Sequence, residues 1–140
     1  MKKRKYMRSC ILLAIACGLF AGCQTSQFRG EQHRLQLAEV KRLFSGHTVE
    51  SFNLNTRNTS FTYYGPDGRV VQERLWSRRT GSWKLTADGQ ICLAFHKKEP
   101  RCRHIVRKGD RYYKVLPDES GKPVRIVRYR YFSPGNALAH

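Results

Sequence analysis

Cys92, His96, Cys102 and His104 are the first residues in this sequence with the right chemistry to hold a metal ion. Their spacing argues against it. In an extended strand Cys92 and His96 lie about 13 Å apart, whereas zinc draws its ligands to about 2.0–2.3 Å. If the chain turns around Lys97-Lys98, Cys92 and Cys102 instead fall opposite each other on adjacent strands, at a separation suited to a disulfide. Neither a metal nor a cofactor is expected. The acids are explained locally as well. Asp67, Asp88, Asp110 and Asp118 each sit in turn-forming sequence, where a short carboxylate bonds nearby backbone amides. Glu73 stands in a strand interior beside Arg74, which reads as a surface ion pair. The sequence holds no nucleophile elbow, phosphate loop or Cys–His nucleophile pair, so catalysis is not expected.

Cations are the remaining chemistry. The 140 residues carry 27 Lys and Arg against 10 Asp and Glu, a formal net charge of +17. Between Lys97 and Arg130 there are 12 basic residues and four acids. Arg101 and Arg103 share one strand face with Arg107 further along it, and Arg125, Arg128 and Arg130 lie on the last strand. These six are the candidate contacts for an anionic partner, because a one-signed wall of a sheet steers anions toward it. Tyr129-Arg130-Tyr131 and Arg111-Tyr112-Tyr113 mix cations with aromatics, a pattern also used for single-stranded nucleic acid.

The elements that must position these residues are mostly strands. Glu31 to Phe44 reads as an amphipathic helix, with Leu37, Val40 and Phe44 at helical spacing and Ser45-Gly46 as its stop. Beyond Gly46, β-branched and aromatic residues alternate between turn signals. These are Pro66-Asp67-Gly68, Arg79-Thr80-Gly81, Ala87-Asp88-Gly89, Lys97 to Pro100, Lys108-Gly109-Asp110 and Pro117 to Pro123. The spacing predicts strands at 47–54, 60–65, 69–76, 80–86, 90–96, 101–107, 111–116 and 123–131. The expected fold class is mainly β, a single antiparallel meander forming a small, about eight-stranded barrel or curved sheet with one N-terminal amphipathic helix. Trp76, Trp83, Phe61, Tyr63 and Phe95 are expected to fill its core.

The first residues belong to a different part of the molecule. Lys2, Lys3, Arg4, Lys5 and Arg8 precede an apolar run, Ile11 to Gly22, too short for the roughly 20 residues of a membrane span and suited to an export signal. Phe20-Ala21-Gly22-Cys23 resembles the bacterial lipobox, which implies cleavage before Cys23 and acylation of its thiol. Residues 1–22 are then a lipoprotein signal peptide, 23–30 a polar tether, and 31–140 the folded domain. From residue 23 onward there are 22 Lys and Arg against 10 acids, a net +12. Of the five cysteines, Cys92 and Cys102 alone are left to pair. By resemblance to bacterial lipoproteins, Gln24 after the acylated residue implies sorting to the outer membrane, on its periplasmic face.

The ordered set Phe61-Thr62-Tyr63-Tyr64-Gly65-Pro66-Asp67-Gly68, Gly81-Ser82-Trp83, Cys92, Arg101-Cys102 and Gly109-Asp110-Arg111-Tyr112 resembles small exported proteobacterial proteins of unassigned function. The likeness covers most of 37–135. It implies a shared fold and disulfide and no activity. Gly81-Ser82-Trp83 is also similar to the lipocalin Gly-x-Trp, but it stands mid-chain rather than after the helix. The expected function is non-catalytic binding, as an accessory domain, of an anionic lipid, lipopolysaccharide, peptidoglycan or an acidic protein. Export argues against nucleic acid as a partner. A carrier with an apolar cavity for a small ligand is the alternative.

Overall fold

The structure, a computed structural model, describes residues 31–139. The expected signal peptide at 1–22, the expected tether at 23–30, and with them Cys23 and Gln24, lie outside the described residues. Among the described residues, ten strands and one helix follow in chain order. They are β1 (His33–Arg34), α1 (Leu37–Phe44), β2 (His47–Asn53), β3 (Thr59–Tyr64), β4 (Arg69–Arg74), β5 (Ser77–Leu85), β6 (Ile91–Phe95), β7 (Arg101–Arg103), β8 (Ile105–Lys108), β9 (Arg111–Pro117) and β10 (Pro123–Pro134).

The strands form one antiparallel sheet, ordered β1-β8-β9-β10-β2-β3-β4-β5-β6-β7, curled into a half-barrel. β7 and β8 are separated only by His104, yet β7 pairs with β6 and β8 with β9. One run of chain therefore leaves one side of the sheet and joins the other, which is what curls it.

Antiparallel order assigns every connection to one of two ends. One end holds the turns at 65–68, 86–90 and 109–110 and is plugged by α1. There Phe44 is fully buried and meets Tyr64, Tyr129 and Phe132 edge-on, with ring centres 5.1, 5.0 and 5.3 Å away. Trp83 packs edge-on to Tyr64 and donates its indole N–H to the Gly65 carbonyl at 2.7 Å. Val40, Val49, Val70, Ile91 and Ile105 complete this core. The opposite end carries the loops at 54–58, 75–76, 96–100 and 118–122.

Three expectations are corrected. The helix starts at Leu37, not Glu31, because residues 33–35 are drawn into the sheet. His33 and Arg34 pair with Arg107 and Val106, and the Leu35 amide bonds the Ile105 carbonyl at 2.9 Å. The Glu39 carboxylate then accepts from the Gln36 amide at 2.8 Å and caps the first turn. Second, Arg79-Thr80-Gly81 is no turn. The chain reverses at Leu75-Trp76, and 77–85 is a single strand. Gly81 serves close packing there, since a β-carbon on it would lie 2.1 Å from the Ala94 carbonyl oxygen. Third, Trp83 is in the core, but Trp76 is 92% exposed at the hairpin tip and Phe61 43% exposed on the outer face.

Candidate anion site at the open end of the barrel

Strand pleating sends alternate side chains inward, and at the open end those inward residues are cations and neutral hydrogen-bonding groups. Gln72 and Arg74 come from β4, Arg79 from β5, Arg101 and Arg103 from β7, and Lys114 from β9. Ser51, Ser60 and Thr62 come from β2 and β3. Together they line a cavity of about 470 Å³ that also reaches Ile91, Leu93, Tyr64 and Tyr129 on its floor.

The ladder register explains the convergence. Gln72 stands opposite both Thr62 and Arg79, Ser60 opposite Arg74, Leu93 opposite Arg101, and Lys114 opposite Val127. Gln72 is the hub. Its amide nitrogen donates to Thr62 Oγ1 at 2.9 Å, leaving its carbonyl oxygen to accept from Arg74 Nε at 3.1 Å and from Arg79 Nε and Nη2 at 2.9 and 2.6 Å. Two guanidinium groups thus share one neutral acceptor. The Arg79 guanidinium also lies over the Phe95 ring, 3.9 Å from its centre. Arg103 donates to the Cys102 carbonyl at 2.8 Å.

Among the described residues, none of Arg74, Arg79, Arg101, Arg103 and Lys114 forms an ion pair. The carboxylate lining the cavity is that of Glu99, in the exposed 96–100 loop. Crowded like charges in a partly dehydrated site disfavour the charged forms. Burial, and then Arg103, Arg74 and Arg79, push the Lys114 ammonium down to about 8. Burial, and then Arg74, lower the Arg79 guanidinium. On the floor, burial raises the Tyr64 and Tyr129 phenols. The Tyr129 hydroxyl is buried beside that of Tyr64, with no partner in full hydrogen-bond geometry among the described residues. The cavity thus gathers hydroxyls and cations that lack a carboxylate partner among the described residues.

Of the six arginines singled out from sequence, the structure brings Arg101 and Arg103 together and separates the rest. Arg107 is exposed on β8 beside Tyr112 and His33, toward the plugged end. Arg125 stacks on the Tyr113 ring at 4.9 Å. Arg128 is next to the core residue Tyr129 on β10, its Nε buried and without a hydrogen-bond partner among the described residues. Arg130 pairs with Glu50 and donates to Thr59 at 2.8 Å. The sequence reading missed Arg74, Arg79 and Lys114. Reading residues 79–81 as a turn hid Arg79, and apolar neighbours on both sides hid which way Lys114 points.

Cys92 and Cys102 form the disulfide, as register partners with Cα atoms 3.9 Å apart. The bond pins the start of β7 to β6 and so fixes Arg101 and Arg103 beside the cavity. His104, which follows, lies 3.6 Å from Asp88, and its basicity is lowered by burial and by Arg34. Among the described residues no three His, Cys, Asp or Glu side chains cluster as metal ligands. No helix there is long and apolar enough to cross a membrane.

No family model and no curated protein sequence matches the chain.

Proposed function

We propose that the chain is an exported, lipid-anchored protein of the outer membrane's periplasmic face. Its half-barrel binds an anionic component of the envelope without catalysis. The kinship to small exported proteobacterial proteins belongs to the same proposal, as do acylation at Cys23 and sorting through Gln24. One observation carries the binding reading, namely six cations around one cavity with no carboxylate in an ion pair with them among the described residues. A fold gains nothing from dehydrating unpaired like charges unless something else supplies the opposite charge. A phosphate or carboxylate entering the mouth would do so, taking forked bonds from the arginines. This lining favours an anionic ligand over the wholly apolar one of the alternative carrier reading.

Inorganic pyrophosphate is a suitable first probe at low ionic strength. It should raise the melting temperature of the purified chain, with the shift falling steeply as salt is added. An Arg79→Gln, Arg103→Gln double variant should fold and lose the shift. No shift in the wild type, or the same shift in the variant, refutes the proposal.

A further inference from the structure

Seven large apolar side chains among the described residues are exposed, and two of them are neighbours at the tip of the β4–β5 hairpin. Leu75 is 77% exposed and Trp76 92% exposed, side by side, at the open end of the barrel. A tryptophan covers far more apolar area than a turn requires, and a turn of this kind favours small polar residues. At the same end, Leu116 and Val124 are register partners with 37% and 45% exposure. In strand order β2 and β3 lie between the two apolar points on one side, with β6 and the β7–β8 run on the other. The mouth therefore opens between two apolar points. Around it stand Arg57, Arg74, Lys97, Lys98, Arg101 and Lys122, against Glu99, Asp118 and Glu119. Asp118 is already engaged by its own loop, accepting from the Ser120 hydroxyl at 2.7 Å and the Lys122 amide at 2.9 Å.

We propose that the open end of the barrel docks on an anionic lipid bilayer, with Leu75 and Trp76 seated at the interface and the cationic mouth over the headgroup phosphates. The inference rests on the anion-binding reading of the mouth and names the source of its anion. Tryptophan prefers the depth where acyl chains meet headgroups, and lysine and arginine prefer the plane of the phosphates just above. Around the mouth the chain provides both. Each basic residue near such a surface adds to the attraction, and the set is screened by salt.

The chain's two tryptophans make the test direct, because Trp83 is buried and Trp76 is not. Full-length protein is mixed with phosphatidylglycerol vesicles or phosphatidylcholine vesicles, each with brominated acyl chains that quench tryptophan on contact. Any N-terminal anchor would carry the protein to both kinds of vesicle, so the readout is quenching of Trp76 and not the bound fraction. Quenching and a blue shift are expected with phosphatidylglycerol and reversal by salt. Trp76→Ala should abolish the quenching, since Trp83 stays inside, and Leu75→Ala should weaken it about tenfold. Trp76→Ala should still respond to pyrophosphate. Quenching without any pyrophosphate response would sink the cavity reading and leave docking standing. A pyrophosphate response with unquenched Trp76 would overturn docking alone. A blue shift that grows with protein concentration in the absence of vesicles would assign the tip to a second copy of the chain, and overturn it too.

Discussion

Removing the charge of Lys114 should stabilise the protein. The ammonium is half-buried in the cavity wall, and burial together with Arg103, Arg74 and Arg79 lowers it from an ordinary 10.5 to about 8. At about 1.4 kcal/mol per pH unit, keeping it charged in the fold costs about 3 kcal/mol at pH 7. The sign follows from the folded value lying below the unfolded one. Below pH 8 both states hold the proton and the whole penalty is present. Between about pH 8 and 10.5 the folded protein releases it while the unfolded chain keeps it, so stability rises with pH. By pH 9.5 about 2 kcal/mol of the penalty should be gone. Lys114→Met keeps an unbranched apolar stem in the same space without the charge. Urea is the denaturant of choice, since an ionic one would screen the repulsion being measured. With the disulfide intact and no multivalent anion in the buffer, the variant should exceed wild type by about 3 kcal/mol at pH 7 and by about 1 kcal/mol at pH 9.5. Subtracting the two proteins cancels every other titration. Saturating pyrophosphate should narrow the gap at pH 7, because only the wild type gains the full set of contacts. Equal stability at pH 7, or a gap that does not change with pH, refutes the view that Lys114 is an unpaired cation waiting for a counter-ion.

The Cys92–Cys102 bond closes a loop with a sequence separation of 10, so reduction should cost about 2–3 kcal/mol in urea melts. Its loss should also weaken pyrophosphate binding, as the β7 arginines lose their tie to β6. Gly89→Ala should destabilise by more than about 1 kcal/mol, since φ there is +81° and a β-carbon would sit 2.8 Å from the Leu35 carbonyl oxygen; unchanged melting would contradict the packing of residues 35–37 against that turn. Cys23→Ser should prevent acylation, to be read by intact mass; a variant that keeps the acyl chains, or a wild type that carries none and retains residues 1–22, would end the lipoprotein proposal.

Much of the fold was legible because turns announce themselves locally. Pro66-Asp67-Gly68 and Lys108-Gly109-Asp110 reverse the chain as read, and the Lys97–Pro100 loop sets Cys92 opposite Cys102. The failures have a common cause. Gly81 carries a turn signal but is used for the close approach of Ala94, a tertiary demand that no local pattern contains. Leu75-Trp76 carries a core signal but forms the turn. That single exchange moved the hairpin register, and the register is what places Arg79 opposite Gln72. The positive charge was visible as composition, while the cavity it lines depends on the β4–β5 hairpin meeting β7 and β9, which follow much later in sequence. For the same reason Arg125 and Arg130, prominent in sequence, are occupied by Tyr113 and Glu50.

The anchor and the mouth can serve the same bilayer only if the tether is long enough. The chain enters the sheet at His33, paired with Arg107 near the plugged end, whereas the mouth is at the other end. Strands of seven residues such as β2 and β9 make the wall about 23 Å tall. Residues 23–32 span at most about 33 Å when extended, which exceeds that height and would let the domain turn its mouth back to the membrane that the proposal assigns to an acylated Cys23. Deleting residues 26–30 leaves Cys23, Gln24 and the folded domain untouched and shortens the reach to about 17 Å, less than the wall. In reconstituted vesicles carrying the acylated chain and brominated lipid, the deletion should abolish Trp76 quenching by the host bilayer. Quenching by separately added phosphatidylglycerol vesicles should persist. If host-bilayer quenching survives the deletion, the domain does not fold back over its own anchor, and the mouth must serve a surface or ligand on the far side.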